Sequence, residues 1–124
     1  MPEDARDDED ARDGTVTFVN RFTVHASPAE FERAFVETAE FMARQDGFIE
    51  HTLLRHVDDE HRYVNIARWR DEAAFRAAVA APGFGPHAAA LRALSTSEPN
   101  LYTPAGPTRR SPLAEVGEGS AARF

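Results

Sequence analysis

Residues 63–75, YVNIARWRDEAAF, join an alternating segment to a helical one. Period-two alternation places four side chains on one face of a strand: Tyr63, Asn65, Ala67 and Trp69. Asparagine is depleted from strands, and an unpartnered buried amide costs roughly 1–3 kcal/mol. A face built only for packing would not usually carry Asn65. We therefore expect a ligand to bind on this face.

The flanking sequence completes the order β-α-β-β-α-β. Ser27 and Glu30 form a capping box with Pro28 at the first helical position, and Asp71 can cap a second helix. The predicted elements are strand one over 15–25, helix one over about 28–45, strand two over 48–57, strand three over 61–69, helix two through about 80, a further helical turn or two from Pro86 to Leu94, and a short strand near 101–103. This order predicts an α+β, ferredoxin-like fold, an antiparallel sheet with helices on one face.

Composition divides the chain into three parts. The 124 residues carry a net charge of −7 and contain no cysteine, so disulfides and thiolate metal sites are excluded. We predict an acidic disordered head over 1–14, a ferredoxin-like domain over 15–105 and a flexible tail over 106–124. Basic charge is not concentrated on one face, which argues against nucleic-acid binding. With no apolar run of about 18 residues and no signal peptide, we expect a soluble, cytoplasmic protein.

One face of the predicted sheet has no helix to cover it. Strand one places Val19 there, and strand three adds Val64 and Ile66. Exposed apolar patches of this kind usually mark an interface. We therefore predict a homodimer in which two sheets pack face to face.

A dispersed pattern connects these elements to a known family. The pattern consists of Phe18-Val-Asn20-Arg-Phe-Thr-Val24, Gly47-Phe48, Leu53-Leu54-Arg55, Tyr63-Val-Asn65, Trp69 and Phe75. Over roughly residues 15–103 it resembles the antibiotic biosynthesis monooxygenase family. The resemblance implies a dimeric α+β barrel with a pocket between each sheet and its helices.

One branch of that family contains small anthrone oxygenases of aromatic polyketide pathways. The resemblance implies oxidation of a phenolic or anthrone intermediate to a quinone with O2, in antibiotic or pigment biosynthesis, without metal or flavin. In those enzymes an Asn and a Trp four residues apart contact the substrate, and Asn65 and Trp69 match that spacing. The tyrosine associated with proton transfer is replaced here by Phe75, so another residue must handle the proton.

A second branch contains small haem-degrading monooxygenases. Asn20 and His87 match its strand-one Asn and its haem-ligating His, whereas Ala78 replaces the Trp that ruffles the porphyrin. A haem-binding protein or haem-degrading monooxygenase, with haem as cofactor, is therefore one alternative. A non-oxidative polyketide-binding or cyclase-type member is another.

The residues also support oxygenation on chemical grounds. A deprotonated, electron-rich phenol can itself reduce O2, so the protein has to stabilise the anion and exclude water. Asn65 and Trp69 offer hydrogen bonds about 13 Å apart along the strand, close to the length of a fused tricycle. An unperturbed imidazole titrates near pH 6.5 and can serve as base, for which we favour His87 and then His51. The candidate catalytic residues are His87, Asn65 and Trp69, the candidate substrate-binding residues are Asn20, His51, Tyr63, Phe18, Phe22, Phe75 and Phe84, and no metal site is predicted.

Overall fold

Between Val16 and Tyr102, four strands and three helices follow one another in the predicted order. The structure is a computed structural model, and it describes residues 14–115. The elements are β1 (Val16–Val24), α1 (Pro28–Ala43), β2 (Phe48–Arg55), β3 (Arg62–Trp69), α2 (Glu72–Val79), α3 (Phe84–Leu94), β4 (Ser95–Tyr102) and a 3-10 turn (Pro112–Glu115).

The sheet has the strand order β2-β3-β1-β4, and every neighbouring pair is antiparallel. In the central pair, Asn20 of β1 lies directly opposite Asn65 of β3. The buried side chains of both strands alternate with more exposed ones, as expected for a sheet covered by helices on one face. The ferredoxin-like fold is confirmed.

α1 and α2 both begin at the capping residues that the sequence predicts. The Ser27 hydroxyl accepts a hydrogen bond from the Glu30 N–H at 3.1 Å, while the Glu30 carboxylate accepts one from the Ser27 N–H at 3.3 Å. Asp71 caps α2 by accepting from the Ala74 N–H at 2.8 Å. That backbone hydrogen bond is the main reason why the pKa of Asp71 is lowered.

The core lies between the helices and the sheet in two clusters. The first surrounds Trp69, which is 1% exposed, and the second surrounds Phe31, which is fully buried. The Trp69 cluster contains Val16, Ala67, Ala74, Phe75 and Ala78, and the Phe31 cluster contains Phe22, Val24, Phe35 and Tyr63. The face predicted from period two is therefore the face that the helices cover.

Two strands differ from the sequence prediction. β4 spans eight residues from Ser95 rather than a few near 101–103, because an edge strand that pairs only with β1 tolerates polar residues and Pro99. β2 contains a bulge between Phe48 and Glu50. The extra residue brings Phe48 and His51, three positions apart, onto the same side of the sheet.

α3 also begins earlier than predicted, at Phe84 rather than Pro86. The acidic head lies outside the described residues except for Gly14. Residues 106–113 are exposed, and the predicted limits of domain and tail stay predictions. Within residues 14–115, no helix is long and apolar enough to cross a membrane.

Candidate active site

A cavity of about 100 Å³ lies between the sheet and the helices. Strands β1, β2 and β3 form its floor, and α1 and α3 cover it, with Val79 contributed by the end of α2. Its lining residues are Phe18, Asn20, Phe22, Phe35, Thr38, Ala39, Met42, Phe48, His51, Asn65, Ala67, Trp69, Val79, Phe84 and Leu91. The lining is mostly apolar, with a few polar groups, as is usual for small-molecule sites.

Three of those polar groups carry a buried atom without a partner. In the part of the chain that the structure describes, Asn20 Oδ1, Asn65 Oδ1 and His51 Nδ1 make no hydrogen bond. Each such atom costs roughly 1–3 kcal/mol when nothing satisfies it. Native cores seldom retain such groups unless a water or a ligand bonds to them. These atoms are therefore available to a guest in the cavity.

His51 is held in the cavity wall by aromatic neighbours. Its ring centroid lies 5.8 Å from that of Phe35 and 6.1 Å from that of Phe48. The bulge in β2 brings His51 onto the helix-covered side together with Phe48. Among residues 14–115, no other histidine borders the cavity. The geometry therefore supplies one imidazole that can exchange a proton with a guest.

Trp69 forms a rigid part of the same wall. Its ring meets Phe48 edge-on at 5.3 Å and Phe75 edge-on at 5.9 Å between centroids. Edge-to-face contacts of this kind add stability beyond simple burial. Because both neighbours lie in the core, the indole has a fixed position relative to Asn65.

A larger, open groove of about 580 Å³ continues from the cavity. The two spaces share six lining residues: Phe18, Asn20, Phe22, Val79, Phe84 and Leu91. The groove runs between α2, α3 and the edge strand β4, where Arg76 and Arg92 join its lining. A ligand too long for the cavity can therefore extend into the groove.

The structure brings most of the predicted residues together. Asn20, His51, Asn65, Trp69, Phe18, Phe22 and Phe84 all line the cavity. Phe75 lines the groove rather than the cavity, and it packs against Phe18 with 4.8 Å between ring centroids. The structure therefore places Phe75 in the wall of the groove, outside the cavity.

Two predicted site residues lie elsewhere. His87, the favoured base, borders neither the cavity nor the groove; α3 turns its ring toward Phe41, at 5.3 Å between centroids. Tyr63 is buried in the Phe31 cluster and donates a hydrogen bond to Glu32 at 2.7 Å. Burial, and then the bond to Glu32, raises the pKa of Tyr63. The structure therefore places neither side chain in the cavity, since α1 supplies each ring with a partner away from it.

Sequence reasoning missed several lining residues on the helices. Phe35, Thr38, Ala39 and Met42 form one side of α1, and Leu91 adds the roof from α3. Helical spacing of apolar residues predicts a covered helix face, but it does not distinguish a core contact from a ligand contact. Between residues 14 and 115 no group of three or more His, Asp or Glu side chains could hold a metal ion.

Comparison with known proteins identifies the family. Residues 15–90 match the family model described as antibiotic biosynthesis monooxygenase. The chain belongs to this family. It is 62% identical to deoxynogalonate monooxygenase from Streptomyces nogalater over 118 residues, which cover 95% of this chain and 94% of that protein.

Two solved structures of a family member have the same fold. Both are of SnoaB from Streptomyces nogalater, described as a cofactor-independent oxygenase. The first, a mutant with alanine in place of an asparagine, is 60% identical with a TM-score of 0.75 and covers 77% of this chain and 98% of that chain. The second is 61% identical with a TM-score of 0.73 and covers 80% and 97%. The resemblance to the antibiotic biosynthesis monooxygenases is confirmed.

Proposed function

We propose that this protein is a cofactor-independent monooxygenase that oxidises an anthrone-type phenolic intermediate of aromatic polyketide biosynthesis to a quinone with O2. The observation that carries the proposal is the set of three unpartnered polar atoms in one apolar cavity. The relatives support it, since one is named for oxygenation of deoxynogalonate and the other is described as cofactor-independent. No metal, flavin or haem takes part in the proposed reaction.

The chemistry needs only a substrate that can reduce O2. Removal of a proton from the ring CH2 gives a carbanion that is delocalised onto the phenolic oxygen. The carbanion gives electrons to O2, and a new C–O bond forms to a hydroperoxide. Loss of the second hydrogen from that carbon and cleavage of the O–O bond then yield the quinone C=O and one water. One oxygen atom of O2 enters the product, and the other leaves as that water.

Each polar residue of the cavity has a defined part in this reaction. His51, with its unpartnered Nδ1 in the cavity wall, takes the first proton and returns it to the departing oxygen. Asn20 and Asn65 lie opposite each other and stabilise the anion by donating hydrogen bonds from their side-chain N–H groups. Trp69 closes the wall beside them and excludes water. The reaction proposed here needs no tyrosine at position 75, because His51 carries the proton.

The haem alternative depends on Asn20 and His87 facing one pocket. Asn20 lines the cavity, whereas the His87 ring packs against Phe41 and does not border it. The non-oxidative alternative needs the same pocket and also a proton acceptor. The position of His87 therefore argues against haem, and the relatives named as oxygenases favour oxygenation over the non-oxidative alternative.

Oxygen uptake with dithranol, an electron-rich anthrone, tests the proposal. We expect uptake by the wild type and at least about a 100-fold loss in Asn65→Ala, since a lost anion-stabilising donor costs that much in other enzymes. His56→Gln is the control for His51 variants, because His56 is exposed at the end of β2. If no electron-rich phenol causes uptake, the non-oxidative alternative replaces the proposal. A Soret shift on adding haemin that His87→Ala abolishes would instead support the haem alternative.

We also propose that two copies pair through the open face of the sheet. Ile66 is 36% exposed and Leu54 45% exposed on that face, beside half-buried Val19 and Val64. A second sheet would remove this apolar surface from water. Light scattering on the wild type and on Ile66→Asp tests the pairing. We expect a dimer and a monomer respectively, and a monomeric wild type would overturn this part.

A further inference from the structure

Met42 places a thioether in the wall of the cavity. It lies in the last turn of α1, where it is half-buried and packs against the Trp69 cluster. Thr38, four positions earlier, lines the cavity as well, so both residues lie on the same side of the helix. Met42 does not border the outer groove. Its side chain therefore meets the part of a guest that enters the cavity itself.

The thioether lies across the cavity from the polar groups of the sheet. Asn20, His51 and Asn65 belong to the strands that form the floor, whereas Met42 belongs to a helix that covers it. The enclosed space is only about 100 Å³. A ring that reaches the unpartnered atoms of the floor leaves little room beneath α1. A reactive group that forms on that ring is therefore within reach of Met42.

Sulfur is scarce in this chain, which makes the position of Met42 informative. The sequence has no cysteine and two methionines, and Met42 is the one residue among 14–115 that contains sulfur. A thioether is oxidised by peroxides to a sulfoxide, which turns a flexible apolar side chain into a polar one. The proposed reaction forms such an oxidant, a hydroperoxide on the ring carbon. No thiol within residues 14–115 competes with Met42 for it.

We propose that the hydroperoxide formed in the cavity oxidises Met42 to the sulfoxide, and that this modification lowers the activity of the molecule that carries it. The O–O bond breaks and an S–O bond forms. Sulfur gives up two electrons, and the proton of the terminal oxygen passes to the oxygen that stays on carbon. The hydroperoxide thus leaves as the alcohol instead of the quinone. The inference rests on the proposed function, because that reaction supplies the oxidant.

The expected loss of activity follows from the polarity of the sulfoxide. The cavity wall is mostly apolar, and its polar groups lie on the sheet side. A sulfoxide adds a strong hydrogen-bond acceptor on the helix side, where an apolar ring packs in the unmodified protein. Burying that acceptor without a donor disfavours the bound state. Oxidised molecules should therefore bind the substrate less well.

Mass spectrometry after turnover tests the modification. Tryptic cleavage after Arg33 and Arg44 releases Met42 in one short peptide. The protein is incubated with dithranol and O2, together with catalase and superoxide dismutase to remove free peroxide and superoxide. We expect the sulfoxide of Met42 to increase with the oxygen consumed, to at least about tenfold its level in protein incubated without dithranol.

A second thioether on the same peptide provides the matched control. Val36 is 54% exposed on α1. In Val36→Met the introduced sulfur reports oxidants in solution, while Met42 reports those in the cavity. We expect dithranol to oxidise mainly position 42 and H2O2 alone to oxidise mainly position 36. The same ratio of the two sulfoxides with both reagents would overturn the inference, because the oxidant would then come from solution.

Met42→Leu tests the effect on activity, because leucine is similar in volume and has no sulfur to oxidise. The oxygen uptake of each protein is followed relative to its own initial rate. We expect the wild type to lose rate as Met42 is oxidised, and Met42→Leu to hold its initial rate for at least about tenfold more turnovers. If both proteins decline alike, the sulfoxide does not disturb the site and this part of the inference is wrong.

Cumene hydroperoxide, an aromatic hydroperoxide added directly, separates the inference from the proposed function. If no anthrone causes oxygen uptake but this reagent oxidises Met42 ahead of the exposed sulfur in Val36→Met, the modification site stands and the oxygenase proposal fails. If dithranol is oxidised and Met42 stays a thioether, the inference fails and the oxygenase proposal stands.

Discussion

Replacing Asn65 by leucine should make the protein more stable and less active. The two side chains are similar in size, so the substitution neither opens a large cavity nor forces a large shift. It removes a carboxamide whose Oδ1 is buried without a partner and puts apolar atoms beside Leu53, which lies opposite position 65 on β2. An unsatisfied buried acceptor costs roughly 1–3 kcal/mol.

The expected rise in the free energy of unfolding of Asn65→Leu lies at the lower end of that range. The cavity is large enough to hold water, and a bound water recovers part of the hydrogen bonding that the amide lost on folding. We therefore expect the free energy of unfolding to rise by about 1 kcal/mol, which corresponds to a Tm increase of about 4–8 °C for a domain of this size. Oxygen uptake should fall at least about 100-fold, because the anion loses a hydrogen-bond donor.

Urea unfolding and oxygen uptake, measured on the same preparations, check both parts. Asn100→Leu is the comparison for stability, because Asn100 is exposed on the edge strand β4 and should change the free energy of unfolding little. If the free energy of unfolding of Asn65→Leu is lower than that of the wild type by more than about 1 kcal/mol, the amide is a structural hydrogen-bonding group. Normal oxygen uptake in that variant would refute its place in the reaction.

Three other changes have expected outcomes. His51→Gln should lower oxygen uptake about 100-fold, as loss of a general base does, while His56→Gln should not; equal rates in the two variants would remove His51 from the mechanism. Gly47→Ala should lower the free energy of unfolding by about 2 kcal/mol in urea, because Gly47 has a φ of 91° and a Cβ there would collide with Ala74; an unchanged midpoint would contradict this. The pKa of Tyr63 is raised in the folded protein by burial and by Glu32, so its contribution to stability is present below about pH 10 and is lost as the pH rises through the folded pKa. In Tyr63→Phe, the free energy of unfolding should therefore fall less steeply above about pH 10 than in the wild type. The same pH dependence in both proteins would contradict this prediction.

The order of the elements could be predicted from local signals in the sequence. The capping box at Ser27 and the cap at Asp71 each mark a helix start by short-range hydrogen bonds, and alternation in β1 and β3 marks the covered face. Such signals depend only on neighbouring residues. The eight residues of β4 carry no such pattern, because pairing with β1 alone holds that strand.

The candidate site was more predictable on β1 and β3 than on β2 and the helices. Asn20, Asn65 and Trp69 follow from period two, whereas the choice between His51 and His87 depends on long-range packing. A bulge of one residue in β2 decides where His51 points, and Phe41 of α1 decides where His87 packs. Neither the bulge nor the packing of His87 against Phe41 produces a periodic pattern in the sequence.

The direct junction between α3 and β4 has a mechanical consequence. α3 ends at Leu94 and β4 begins at Ser95, and the Leu94 carbonyl accepts a hydrogen bond from the His25 N–H at 2.8 Å. The amino end of α3, which begins at Phe84 after Gly83, is held as well: the Phe84 N–H donates to the Ala81 carbonyl at 3.0 Å, and the Phe84 ring packs against Phe41 with 6.4 Å between centroids. The helix that roofs the cavity is therefore held at both ends, so it cannot shift without displacing either β4 or α1.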